Sequence, residues 1–178
     1  MIDLHVHSTA SDGSLSPVEI LELARTRGIK AIAITDHDSI DGIKEIIDQV
    51  HAVPFEFITG VEISCTPPQG FETIGSVHLL GYGFSLYDRN LNQMLSAAKR
   101  SREQRNPHII SKLNQAGLNI SLAEIAARFG TGQTGRPHIA ELMKEKGFVS
   151  SFKEAFDTWL GKGKPAYVAL VSLDISER

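Results

Sequence analysis

The chain has 178 residues, 42% of them hydrophobic, and a formal net charge of −3, which is enough for one domain with a real core. A mildly acidic surface excludes a general affinity for nucleic acid or anionic membrane, so any anion site has to be local. The single cysteine, Cys65, excludes an intramolecular disulfide; with no basic-then-apolar leader and no apolar run near the ~18 residues of a membrane span, a cytoplasmic protein without a membrane partner is expected.

His5 and His7 stand two apart in the opening segment Met1-Ile2-Asp3-Leu4-His5-Val6-His7, and Asp12 follows in Ser11-Asp12-Gly13. On a strand the two imidazoles project to one face and can grip one ion. Ser16-Pro17-Val18-Glu19 has the form of a capping box with proline at the first helical position, and Gly28 supplies the stop. The apolar run Ala31–Ile34 predicts a buried parallel strand, and Ile43, Ile46, Ile47 and Val50 keep helical spacing. Strand-like runs at 55–63 and 77–82 flank the turn-rich segment 66–70. This βαβαβ-β order predicts a parallel sheet or an α/β barrel.

From about Leu86 the pattern becomes helix upon helix, at 91–117, 121–129, 137–146 and 151–160, the last opened by a capping box of Ser151 and Glu154. A strand-like run at 166–171 follows. The expected organisation is a barrel part in 1–83, an α-helical insertion in 84–165, and a return strand in 166–178. A barrel of this kind needs about eight strands, so an incomplete barrel or a smaller sheet is expected.

Four histidines mark strand ends. His37 lies in Thr35-Asp36-His37-Asp38 directly after one apolar run, Glu62 in Gly60-Val61-Glu62-Ile63, and His78 opens the run Val77-His78-Leu79-Leu80-Gly81. In a parallel α/β fold the carboxyl ends of strands share one rim, so His5, His7, Asp12, His37 and Glu62 should meet there. His78 reaches the rim only if its strand is antiparallel or begins late. Imidazoles and carboxylates suit zinc, manganese or iron, and more than four ligands call for at least two ions, with Glu62 available as a bridge. Asp36 and Asp38 are read either as partners of a ligand's far nitrogen or as helix caps. His51 and His108 read as surface residues, and Cys65 as strand packing.

An apolar stripe runs along one predicted helix at 91, 95, 98, 109 and 113, and the two members missing from it are Arg102 and Arg105. Cations on an inward stripe call for an anion, and two guanidiniums a turn apart can fork onto a phosphate. The competing reading has Pro107 break the helix and leave both arginines in solvent. A second anion candidate is the segment 130–138, where glycines and hydroxyls lead through Arg136 and Pro137 to His138 at the start of a helix.

Together, His5-Val6-His7-Ser8, Ser11-Asp12-Gly13, Thr35-Asp36-His37-Asp38, Gly60-Val61-Glu62-Ile63-Ser64, Val77-His78-Leu79-Leu80-Gly81-Tyr82 and Gly135-Arg136-Pro137-His138-Ile139-Ala140 resemble the polymerase and histidinol phosphatase (PHP) domain. The paired arginines make the chain most similar to the bacterial branch that hydrolyses 3′,5′-bisphosphonucleotides and trims short RNA from the 5′ end. The resemblance implies a distorted seven-stranded (β/α) barrel with two to three manganese, zinc or iron ions. It implies His5, His7, Asp12, His37, Glu62 and His78 as metal ligands, and Arg102, Arg105, Arg136 and His138 as phosphate-binding residues. The implied reaction is phosphoester hydrolysis by a metal-bound hydroxide, with no side-chain nucleophile. The implied partner is a small phosphorylated nucleotide or a short RNA end. A histidinol-phosphatase-like enzyme and a non-catalytic PHP-like module are the alternatives. The family carries later histidines and an Asp-x-His pair, whereas no histidine follows His138, so the chain reads as a fragment or a truncated relative.

Overall fold

The computed structural model describes residues 1–67, 77–130 and 133–170, together with the backbone of Leu173 and Asp174. Strand β1 (Ile2–Val6) leads through a loop to α1 (Pro17–Thr26). The Ser16 hydroxyl accepts from Glu19 N–H and the Glu19 carboxylate accepts from Ser16 N–H, completing the predicted box. Fully buried β2 (Ala31–Ile34) follows, and then α2 (Asp41–Ile46). The second helix is shorter than its apolar spacing predicts, because its last turn tightens into a Gln49 N–H to Ile46 carbonyl bond.

The sheet order is β1-β2-β3-β4, where β3 is Glu56–Thr66 and β4 is Val77–Tyr82. The sheet is mixed rather than purely parallel. β1, β2 and the first part of β3 pair in parallel, whereas residues 60–65 of β3 pair antiparallel with β4. Only residues 67–76 join β3 to β4, fewer than the dozen or more that a parallel crossover requires. β3 changes partner at Gly60, where a Cβ would lie 2.8 Å from the Ile34 carbonyl oxygen and 2.7 Å from Thr35 Cγ2.

The chain then becomes helical: α3 (Arg89–Gln115), α4 (Leu122–Phe129), α5 (Arg136–Glu145) and the short α6 (Phe152–Ala155). Pro107 lies exposed inside α3 without ending it, so the arginines stay on the inward face. The predicted last helix is only four α-helical residues followed by a π-helical turn, Phe156–Leu160, closed by a Gly161 N–H to Phe156 carbonyl bond of 2.9 Å. Its capping box is half formed. Ser151 caps Glu154 N–H, but the Glu154 carboxylate accepts from Ser150 N–H.

The return strand starts later than expected. Lys164 N–H bonds to Gly161, Ala166 N–H to Trp159 and Tyr167 N–H to Lys164, which curls the start of the apolar run into turns. The return to the sheet is β5 (Leu173–Asp174), parallel to β3 at Cys65 and Thr66. Residues 171–172 and 175–178 of the predicted return segment lie outside the described residues, as do Thr131 and Gly132 of the glycine-rich loop and residues 68–70 of the predicted turn.

Two apolar clusters support these elements. One packs Ile20, Ile34, Ile43, Ile46 and Val61 beneath the sheet, and the other packs Ile109, Leu113, Ile125, Ile139 and Leu160 among the helices. α3 contributes to both, with Leu95 in the first and Ile109 and Leu113 in the second. No helix among the described residues is long and apolar enough to cross a membrane.

The loop after β1 folds back on the strand it leaves. Gly13 N–H donates to the Ser8 carbonyl at 2.9 Å, and a Cβ at Gly13 would lie 2.1 Å from the His7 carbonyl oxygen. Replacing Gly13 with alanine is therefore expected to lower unfolding free energy by about 1–3 kcal/mol. Urea denaturation measures it, and an unchanged midpoint would refute the packing argument.

Candidate metal and anion site

Each donor is carried to one rim by its element. β1 delivers His5 and His7 on one face, and the loop closed by Gly13 returns Asp12, whose Oδ1 is 3.0 Å from His7 Nδ1. His37 follows β2 and bridges to Glu62 of β3. The antiparallel pairing that the sequence left open brings in His78: it stands opposite Ser64, so the start of β4 lies at the same rim as Glu62. Glu62 Oε2 lies 3.0 Å from His5 Nε2, 2.8 Å from His7 Nε2 and 3.6 Å from His37 Nδ1, while Oε1 lies 3.0 Å from His78 Nδ1.

The six residues form three overlapping groups, His5-His7-Glu62, His7-Asp12-His37 and His37-Glu62-His78, with donor atoms in each group within 4.8 Å of one another. Ligand atoms around one tetrahedral ion at ~2.1 Å lie roughly 3.4 Å apart, so such groups fit an ion. The buried His37 Nδ1 makes no hydrogen bond among the described residues, leaving a donor atom for a ligand. Protonation also suits the task. Burial pushes the His37 imidazole well below its ordinary value, which keeps it neutral near neutral pH. Burial alone would raise Asp12, but the His7 hydrogen bond and the nearby His37 and His7 charges hold it at about 2. His7 moves the other way: burial would lower it, yet Asp12 and Glu62 raise it.

The two aspartates flanking His37 do neither job foreseen for them. Asp36 accepts from Ser8 N–H at 2.7 Å, from the Ser8 hydroxyl at 2.6 Å and from the Ser11 hydroxyl at 2.6 Å, which fixes the loop of Asp12. Asp38 accepts from Ser64 N–H and its hydroxyl, both at 2.7 Å, and from the Arg102 guanidinium. The cap position of α2 belongs to Ile40, which makes no side-chain cap bond.

Arg102 and Arg105 are 9% and 5% exposed, and their partners differ. Arg102 is paired with Asp38 and also donates to the Ser64 hydroxyl at 2.8 Å. Among the described residues Arg105 donates only to the Asn106 side-chain oxygen, at 3.2 and 3.4 Å, and Asn106 in turn donates to the Thr134 carbonyl at 2.9 Å. Arg136 donates to the Leu160 carbonyl at 3.2 Å and stacks over Phe156 and Tyr167. Neither Arg105 nor Arg136 has a carboxylate within ion-pair reach among the described residues. Burial, together with the Arg102 and Arg136 charges, pushes Arg105 down to about 9, and burial also lowers Arg136.

His138 is tied into the scaffold. Its Nδ1 accepts from Gly135 N–H at 3.0 Å. A single cavity of about 830 Å³ takes in Asp12, His37, Glu62 and His78 at one side and Arg102, Arg105 and Arg136 at the other. Sequence reasoning missed Ser8, Ser11, Ser64, Asn106 and Gln133. Ser8, Ser11 and Ser64 lay inside the quoted motifs and Gln133 inside the 130–138 anion candidate, so position gave a signal, whereas Asn106 gave none.

The 5′-3′ exoribonuclease of Haemophilus influenzae is 38% identical over 173 residues, spanning 97% of this chain and 61% of the relative. The 3′,5′-nucleoside bisphosphate phosphatase of Chromobacterium violaceum is 31% identical, over 94% of this chain and 58% of the relative. The chain thus spans about three fifths of these relatives. A solved structure of a Chromobacterium violaceum amidohydrolase, with bound sulfate and no metal, superposes with a TM-score of 0.86 at 29% identity, covering 97% of this chain and 60% of that one. A structure from Bifidobacterium adolescentis, also at a TM-score of 0.86 but 24% identical, covers 97% of this chain and 59% of that one and shares the fold. The α/β architecture is accordingly that of an incomplete PHP barrel. With the PHP domain matching residues 3–162, the chain belongs to the PHP domain family.

Proposed function

We propose that this protein is a metal-dependent phosphoesterase that hydrolyses phosphomonoesters of small nucleotides, 3′,5′-bisphosphonucleotides among them, and trims the 5′ ends of short RNA. The observation that carries the reading is one cavity lined by four of the six metal-type donors, Asp12, His37, Glu62 and His78, and by buried Arg105 and half-buried Arg136, neither of which has a carboxylate partner among the described residues. The names of the Haemophilus and Chromobacterium relatives support the substrate class, and the sulfate in the Chromobacterium structure supports a tetrahedral anion. A cytoplasmic setting suits such substrates.

In this reading His5, His7, Asp12, His37, Glu62 and His78 hold two or three divalent ions, manganese, zinc or iron. Bound there, the ions supply Lewis acidity toward phosphoryl oxygens and activate water near neutral pH. The remaining work belongs to the protein. Arg105 and Arg136 receive the charge of the phosphate, Arg102 and Asp38 position the helix that carries Arg105, and His138 braces the start of α5 through Gly135.

Metal binding must displace protons, most of all from His7, whose pKa lies above its ordinary value. Manganese affinity of the metal-free protein is therefore expected to rise between about pH 6 and about pH 8, where histidines lose their protons. Isothermal titration would show it, and Glu62→Gln should weaken binding by more than about tenfold. An affinity indifferent to both pH and Glu62→Gln would rule out this ligand set.

The arginines separate by a paired measurement. Arg105→Ala should lower kcat/KM on adenosine 3′,5′-bisphosphate by roughly 10- to 100-fold, the equivalent of one lost charged hydrogen bond, without loss of stability. Arg102→Ala should cost about 3–5 kcal/mol of stability, because it strands the buried Asp38 carboxylate. If Arg105→Ala is instead the destabilised variant and hydrolyses normally, the phosphate role fails.

A further inference from the structure

Gln133 lines the cavity and has no part in the site as described so far. Its side-chain nitrogen and oxygen are both buried, and neither makes a hydrogen bond among the described residues. The backbone, by contrast, is held: Gln133 N–H donates to the Ala10 carbonyl at 3.3 Å, which ties it to the loop carrying Ser11 and Asp12. Three residues later Arg136 opens α5. Gln133 thus stands where the Asp12 loop meets the arginine side of the cavity.

A buried polar group without a partner costs about 1–3 kcal/mol, and native proteins hold few of them. The chemistry of the amide selects among ligands. A carboxamide carries both donors and an acceptor. A phosphate dianion only accepts, so it would satisfy the amide nitrogen and leave the oxygen facing more lone pairs. The group that satisfies both ends must donate and accept. In a nucleotide phosphate bound between the metal donors and the arginines, a sugar hydroxyl beside the phosphate does both through one oxygen. The same cavity also has apolar lining residues, Val168, Ala169 and Leu170, which suit the face of a base.

Resting on the phosphoesterase reading above, we propose that the Gln133 side chain hydrogen-bonds the ribose 2′-hydroxyl, so that the site selects ribonucleotides over deoxyribonucleotides. It is a specificity residue and takes no part in bond breaking. The test uses the metal-loaded protein with adenosine 3′,5′-bisphosphate and its 2′-deoxy counterpart. The protein should favour the ribonucleotide by about tenfold in kcat/KM, the worth of one hydrogen bond. Gln133→Leu, which removes the hydrogen-bonding groups, and Gln133→Asn, which shortens their reach, should bring the ratio near one, mainly by raising KM for the ribonucleotide. Thermal unfolding of both variants checks folding, and the Asn variant decides if the Leu variant does not fold. A ratio that survives both substitutions overturns the Gln133 role while leaving phosphoesterase activity intact. So does a penalty that depends on exchanging adenine for uracil rather than on the 2′-hydroxyl. If the protein hydrolyses neither nucleotide, the phosphoesterase reading itself fails, and the Gln133 role with it.

Discussion

The buried Asp38 carboxylate holds the two sides of the site in register. It accepts from Ser64 on β3 and from Arg102 on α3, while its own N–H donates to the Glu62 carbonyl at 2.8 Å. These bonds converge on a residue whose φ is 49°, a left-handed conformation that costs a non-glycine residue on the order of 1 kcal/mol or more and that aspartate tolerates better than most. Charge-assisted bonds to a buried carboxylate are strong enough to offset that cost. His37 precedes Asp38 directly, so fixing Asp38 also fixes the imidazole against Glu62. Asp36, two residues before Asp38, does the same for the Ser8–Ser11 loop. One short segment thereby sets the distance between the metal donors and the arginine helix.

The same arrangement sorts charge. Asp12 and Glu62 are surrounded by imidazoles, and Asp38 is spent on Arg102. What remains in the cavity wall is the positive charge of Arg105 and Arg136, joined by exposed Lys162 and Lys164, while the lining carboxylate of Asp157 is paired with Lys153. A chain with a net charge of −3 therefore holds a cationic pocket, as its composition required of any anion site. Burial strengthens the pocket, because the field of a guanidinium is screened far less away from water.

How much of this was legible in the sequence follows from what each feature depends on. Histidines at strand ends were readable because strand alternation is local, and the arginine stripe on α3 because helical periodicity is local. His78 was harder to place, since its position depends on the direction of β4, a tertiary choice. The roles of Asp36 and Asp38 were misjudged for the same reason: their partners, Ser8, Ser11, Ser64 and Arg102, lie 25 to 64 residues away in sequence. Pro107 looked like a helix breaker, yet the helix continues with its ring in solvent, held in place by packing on both apolar clusters. Residues 166–170 had the composition of a strand, but the turn bonds made by Lys164, Ala166 and Tyr167 prevailed.

Arg102, Arg105 and Arg136 are one residue type held in three ways, and the difference decides which of them can act on an anion. Arg102 is held by a carboxylate, which anchors it and cancels its charge. Arg136 is held by the Leu160 carbonyl at the end of the π-helical turn and by the faces of Phe156 and Tyr167, contacts that attract a cation and orient it while leaving its charge in place. Arg105 is held by the neutral Asn106, itself anchored to the Thr134 carbonyl. A carboxylate at position 106 would steady Arg105 more firmly but would neutralise it, and a solvent-exposed arginine would keep its charge but lose its position. Neutral, buried scaffolding avoids both losses, so the pocket stays cationic and its guanidiniums stay oriented.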